Sequence, residues 1–164
     1  MNKLNKNIVL IGMPGCGKTT IGKRLAKRLN IKFCDVDEYI VESEEKSITK
    51  IFEEGEEHFR EIESRAINEI CRIYPKVIAT GGGAIKRFYN IKTLKENGVV
   101  FFIDRPVEDI AEGVDMKSRP LLKDGVEKLY KLYEERYPLY NEYCDYKIIN
   151  SSIEESISRI LSLI

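Results

Sequence analysis

The 164-residue chain holds one histidine, His58, and four cysteines with no CxxC pair among them. So few soft ligands argue against a zinc site, and Cys16, Cys34, Cys71 and Cys144 read as reduced thiols filling small spaces. Cys16 stands apart, because it lies in a glycine loop beside a lysine and a helix start, surroundings that lower a thiol pKa and favour oxidation. Net charge is lacking too. Lys plus Arg number 27, as do Asp plus Glu, so no global field draws the chain to nucleic acid or to an acidic membrane, although local basic clusters can still bind small anions. Long apolar runs are absent. The run in MNKLNKNIVLIG soon meets glycine, is too short to span a bilayer and shows no signal-peptide cleavage pattern. A cytoplasmic location is expected, and so is a monomer, since no heptad pattern or long apolar surface helix suggests otherwise. No internal repeat, low-complexity tract or linker interrupts the sequence. With 33% charged and 43% hydrophobic residues it reads as globular, one domain over 1–164.

What is present is an alternation. Apolar runs at 7–12 (NIVLIG), 31–37 (IKFCDVD), 76–80 (KVIAT), 98–104 (GVVFFID) and 145–150 (DYKIIN) read as five strands. Amphipathic stretches lie between them, among them a helix from about Lys18 to Leu29 and acidic helical segments after the second strand. Pro106 suits the first turn of a helix after the fourth strand. A final amphipathic helix is capped by Ser151 or Ser152. Strands alternating with helices predict βαβ units and a parallel sheet covered on both faces. The segment EGVDMKSRPLLKDG, 112–125, is polar, aperiodic and bounded by glycine, the pattern of a lid.

Gly12, Gly17, Lys18 and Thr19 satisfy G-x-x-x-x-G-K-[ST] between a strand and a helix, the context a phosphate loop requires. Glycines let backbone N–H groups turn toward phosphate oxygens, and the helix N-terminus adds partial positive charge. Lys18 reaches the β and γ phosphates and the Thr19 hydroxyl ligates Mg²⁺ in such loops. The guanine-reading NKxD motif is missing, and the chain is short for a motor.

The rest of the sequence suggests a small anionic acceptor. FCDVDEYI sets Asp35 and Asp37 at a strand's C-terminal end, side chains on one side and ~7 Å apart if extended. One carboxylate suits a metal's shell and the other a hydroxyl proton; the plain alternative is a solvated turn with Asp37 capping a helix. Arg60 has Glu56 and Glu63 four and three residues away, either a surface ion-pair ladder or an arginine fork for a carboxylate, oriented by Glu63. Gly81, Gly82 and Gly83 end the third strand. One glycine suffices for a turn, so three imply close approach to the backbone, unless the loop is merely flexible. Arg119 in the lid and Arg136 in the next helix are either charge-neutralising residues or surface ones. Asp104 imitates the acid that ends a Walker B strand, yet a helix-entry role before Arg105-Pro106 is more natural, and Asp35 is preferred for magnesium.

Together GMPGCGKTTIGKRLA, FCDVDEYI, IFEEGEEHFREIE, ATGGGAI, SRPLL and ERYPLYNE resemble shikimate kinase over nearly the whole chain. The phosphate loop is shared by many families; the combination with DxD, GExxFRxxE, GGG and RPLL is far more specific. The resemblance implies a nucleoside-monophosphate-kinase-like α/β fold, a five-stranded parallel sheet flanked by helices with a mobile lid. It implies ATP-dependent phosphorylation of the shikimate 3-hydroxyl, a step of aromatic biosynthesis, with Mg²⁺ as cofactor and ATP and shikimate as small-molecule partners. By the same resemblance Gly15, Cys16, Gly17, Lys18, Thr19 and Thr20 hold nucleotide, joined by Arg119. Lys18, Asp37 and Arg119 are catalytic, Asp37 binding the reacting hydroxyl. Arg60, Arg136 and the Gly82 N–H hold the carboxylate, and Thr19 and Asp35 organise the metal, Asp35 through water. The chain departs from better-known members in a short lid, DMKS before Arg119, where Lys117 is a candidate replacement cation. IFEEGEE is also one residue shorter than the commonest pattern. A gluconate kinase-like enzyme and a non-catalytic nucleotide-binding regulator are the competing readings.

Overall fold

The strand Asn7–Ile11 (β1) is buried at every position, with Val9, Leu10 and Ile11 fully sequestered. A run without polar alternation can satisfy its faces only inside a sheet covered on both sides. The computed structural model describes residues 4–112 and 122–164, the side chains of 122–124 excepted. After β1 come α1 (Lys18–Leu29), β2 (Lys32–Asp35), α2 (Val36–Glu44), α3 (Ile48–Phe52) and α4 (Glu56–Cys71). Then follow β3 (Lys76–Ala79), a 3₁₀ turn at Ala84–Lys86, α5 (Phe88–Asn97), β4 (Gly98–Asp104) and α6 (Val107–Glu112). The chain closes with α7 (Leu122–Tyr143), β5 (Tyr146–Ile149) and α8 (Ile153–Leu163).

The strands form one parallel sheet in the order β2-β3-β1-β4-β5. Chain order and spatial order therefore part company around β1: the chain leaves it for β2 beyond β3, then crosses back over it from β3 to β4. Such a reversal opens a crevice at the carboxyl ends of the strands, where open α/β sheets bind ligands. Five segments leave the sheet at that edge: the glycine loop after β1, Asp35, the triple glycine, Asp104 and Asn150.

Two boundaries differ from the sequence reading for a physical reason. The second strand stops at Asp35 because its Oδ1 accepts the Glu38 N–H at 3.1 Å and caps α2; Asp35 is thus the cap, and Asp37 sits in the first helical turn. The range 112–125 expected to be aperiodic is helical at both ends, since Glu112 ends α6 and 122–125 already belong to α7. Arg119, Lys117 and the rest of 113–121 lie outside the described residues. Ser152 caps α8, accepting the Glu155 N–H at 3.1 Å. No described helix is long and apolar enough to cross a membrane.

Gly98 pairs with Asn7 across β1 and β4, and a Cβ there would stand 2.7 Å from the Asn7 carbonyl oxygen. Its backbone is extended, so the constraint is space alone. Gly98→Ala is expected to cost about 1–3 kcal/mol by pushing the two strands apart, read as a lower urea midpoint at unchanged m-value.

Candidate active site

The loop after β1 turns through Gly15 at φ 79° and Gly17 at φ 105°, conformations that side chains with a Cβ resist. Gly17 is the N-cap of α1 and supplies no side-chain acceptor. The first helical N–H groups are thus left for an external anion. Lys18 is nearly buried, its Nζ donating to the Gly12 and Met13 carbonyls at 2.6 and 2.9 Å. Thr19 Oγ1 donates to Asp35 Oδ2 at 3.1 Å, tying the loop to the acidic junction. Gly15, Gly17, Thr19 and Thr20 line the cleft with Lys18. Cys16 does not: its side chain is 1% exposed, packed in the core. The expectation of an oxidisable thiol fails here on access.

Asp37 lines the same cleft. Burial raises its pKa above the usual carboxylate value and the neighbouring Asp35 raises it further, while Lys18 and Arg60 pull the other way. Desolvation disfavours the anion, so this carboxylate is a stronger base than a solvated one. Asp104 is turned elsewhere, its Oδ1 accepting the Tyr133 hydroxyl at 3.1 Å. Thr19 and Asp35 present hard oxygen donors side by side. No cluster of three or more His, Cys, Asp or Glu that would hold an ion unaided occurs among the described residues. Few protein oxygens suit Mg²⁺, which keeps waters and substrate phosphates in its shell.

Arg60 on α4 is no surface ladder. It is 8% exposed and its Nη1 donates to Glu63 Oε1 at 2.8 Å, with Glu63 wholly buried. Burial raises the Glu63 pKa, opposed chiefly by its hydrogen bond to Arg60. Three glycines face this cluster, and each answers a different side chain. A Cβ on Gly81 would meet Asp37 Oδ1 at 3.1 Å. One on Gly82 would meet Pro14 at 2.8 Å and Arg136 Nη1 at 3.0 Å, and one on Gly83 would strike the Arg60 guanidinium carbon at 2.7 Å. The triple glycine is therefore a matter of space, with the site's own side chains as the close neighbours. Tyr140 locks the turn from behind. Its hydroxyl donates to the Gly82 carbonyl at 2.6 Å, its ring stacks on Phe102 at 5.1 Å, and burial pushes its pKa up to about 12.

The cleft, ≈ 710 Å³, runs from the phosphate loop past Asp35 and Asp37 to Gly81 and Gly82. Arg136 and Arg60 stand beyond it, against Gly82 and Gly83. Sequence reasoning missed Tyr140, Asn150 and Arg105. Arg105 lines the cleft and its Nη1 donates to the Gly15 carbonyl at 3.0 Å. Tyr140 lies four residues after Arg136, on the same helical face, a spacing that was available as a signal.

A phosphate loop, an acidic pair and two arginines at the carboxyl edge of a 2-3-1-4-5 sheet define the class, a P-loop phosphotransferase. A family model described as Shikimate kinase matches residues 14–164. A shikimate kinase of Clostridium botulinum (strain Alaska E43 / Type E3) is 49% identical over 162 residues, covering 98% of each chain. One from Dictyoglomus turgidum is 39% identical over 166 residues, covering 96% of each. The shikimate kinase from Acinetobacter baumannii, solved in complex with shikimate, matches with a TM-score of 0.89 at 38% identity, over 96% of this chain and 92% of that one. The shikimate kinase of Aquifex aeolicus matches at 0.83 and 38% identity, over 95% and 94%. The chain belongs to the shikimate kinase family, and its reaction is ATP-dependent phosphorylation of shikimate.

A carboxyl whose pKa folding raises stabilises the fold while protonated. That contribution is complete below the ordinary value of 3.8 and is lost as pH rises through the folded value. Asp37→Asn cannot ionise. It is expected to melt higher than the native protein at neutral pH, with the gain shrinking as pH falls toward 3.8. Calorimetric melting across that range checks it, and an equal or lower neutral Tm would exclude the desolvated-carboxylate account.

Proposed function

We propose that the glycine loop binds ATP and that Asp37 accepts the proton of the shikimate 3-hydroxyl as its oxygen attacks the γ phosphorus. The P–O bond to ADP breaks as the new P–O bond forms, and the proton passes to the Asp37 carboxylate. Nucleotide is held by Gly15, Gly17, Lys18, Thr19, Thr20 and the backbone at Cys16. Lys18, and Arg119 from the lid segment, neutralise charge gathering on the phosphoryl oxygens. Arg60 and Arg136 hold the acceptor's carboxylate with the Gly82 N–H, and Glu63 fixes the Arg60 guanidinium. Thr19 and, through water, Asp35 would hold Mg²⁺, which when bound screens the phosphate charges. The enzyme acts as a cytoplasmic monomer, without nucleic-acid or membrane partners.

The observation that carries this reading is the Gly81–Gly83 turn, which brings Asp37, Arg136 and Arg60 against three successive backbone positions. A hydroxy-carboxylate needs a base and a guanidinium pair at a fixed separation, and one rigid turn sets it.

ADP release with MgATP and a panel including shikimate and gluconate tests the assignment. Shikimate-dependent turnover is expected to fall about 10²–10⁴-fold in Asp37→Asn while MgADP affinity stays near native. Near-native turnover in that variant would remove Asp37 from the reacting hydroxyl. Arg136→Ala is expected to raise the KM for shikimate by about tenfold or more, the cost of one charged hydrogen bond, with the KM for ATP little changed. Equal losses for both substrates would show that Arg136 serves neither in particular.

A further inference from the structure

Asn150 leaves β5 at the edge of the cleft, yet its side chain faces the phosphate loop. It is 7% exposed, and its Nδ2 donates to the Cys16 carbonyl at 2.8 Å, inside the protein. A carbonyl can only accept, so the amide is oriented with nitrogen toward the loop. On the other side Oδ1 accepts from Ser156 Oγ of α8 at 3.1 Å, and the Asn150 backbone N–H donates to the Asp104 carbonyl at 2.8 Å. The contact is tight as well as polar, since a Cβ on Gly17 would sit 2.8 Å from Nδ2. Asn150 is thus held by β4 and α8 and in turn holds the loop.

The Cys16 carbonyl and the Gly17 N–H belong to one planar trans peptide and point in opposite directions. Fixing the first fixes the second. We infer that Asn150 is a positioning residue for nucleotide: by anchoring the Cys16 carbonyl it aims the Gly17 N–H at the phosphates of ATP. The inference rests on the reading that this loop holds ATP. Without Asn150 the peptide is free to rotate between Gly17 at φ 105° and the turn closed by the Cys16 N–H on the Met13 carbonyl. The donor would then be aligned only at the moment of binding, at an entropic cost. Ser156 acts one step further back, holding the amide that holds the loop.

Calorimetric titration with MgADP, paired with steady-state KM values for ATP and shikimate, tests this on Asn150→Ala and Ser156→Ala. Asn150→Ala is expected to weaken MgADP about five- to tenfold, the worth of one hydrogen bond. The ATP KM should rise in parallel and the shikimate KM should stay unchanged. Ser156→Ala should shift the same two constants in the same direction by less, and it keeps the test open if the first variant folds poorly. Losses shared equally by ATP and shikimate would overturn the inference, because they would mark a general support of the fold. Unchanged MgADP affinity in both variants, with Lys18→Met weakened, would overturn it and leave the ATP reading of the loop standing. Unchanged affinity in Lys18→Met as well would remove that reading and the inference together.

Discussion

The burial of β1 between β3 and β4 is the constraint on which the site depends. A strand with no exposed residue has no freedom of register; its pairing with both neighbours fixes where the glycine loop and the triple glycine emerge. Those two turns stand side by side because β1 and β3 are adjacent, although about seventy residues of chain separate them. The Thr80 N–H and hydroxyl, both bonded to the Leu10 carbonyl at 3.1 and 3.0 Å, extend that pairing one step beyond the sheet. The phosphate-loop and triple-glycine halves of the cleft are thus referred to one rigid frame. Site residues at the ends of strands hold position better than residues on free loops.

On that frame the charges are arranged at a cost to stability. Asp35 and Asp37 stand near enough to raise the Asp37 pKa, and burial raises those of Asp37 and Glu63. Each raised value records an anion that the fold would rather see protonated. The core of β1, β4 and the helices around them supplies the surplus stability that tolerates this.

The strand–helix alternation and the phosphate loop were legible because each has a local signal: apolar runs for buried strands, glycine and lysine spacing for the loop. All five strands appear within about two residues of their expected places, which is the usual uncertainty of such boundaries. Asp35 and Asp37 were legible as a pair but not in geometry. The extended-strand spacing ignored the capping bond from Glu38, which turns the chain one residue after Asp35. The triple glycine announced close approach but not what approaches, since Arg60, Arg136 and Asp37 come from three different helices. Asn150 was invisible for the same reason, being 134 residues from the carbonyl it holds. Cys16 went astray through a local rule, because proximity to lysine and a helix start says nothing of burial.

Arg60 shows what a buried ion pair does for this corner of the cleft. A guanidinium has five donors, and Glu63 Oε1 takes one at 2.8 Å, while Glu56 stands farther off at 3.4 Å and shares its oxygen with Lys86. Arg60 Nε has no partner among the described residues, nor has Arg136 Nε. Asp37 and Glu56 also stand near Arg60, so the charges of this corner largely offset one another, and what it holds out to a further carboxylate is unspent guanidinium donors. Replacing Glu63 by an apolar residue would leave Arg60 unanchored, and a further fixed carboxylate would fill the place of the ligand's own. The buried Glu63 therefore fixes one edge of the Arg60 guanidinium and leaves its other donors unspent, as a site built to take up an anion would require.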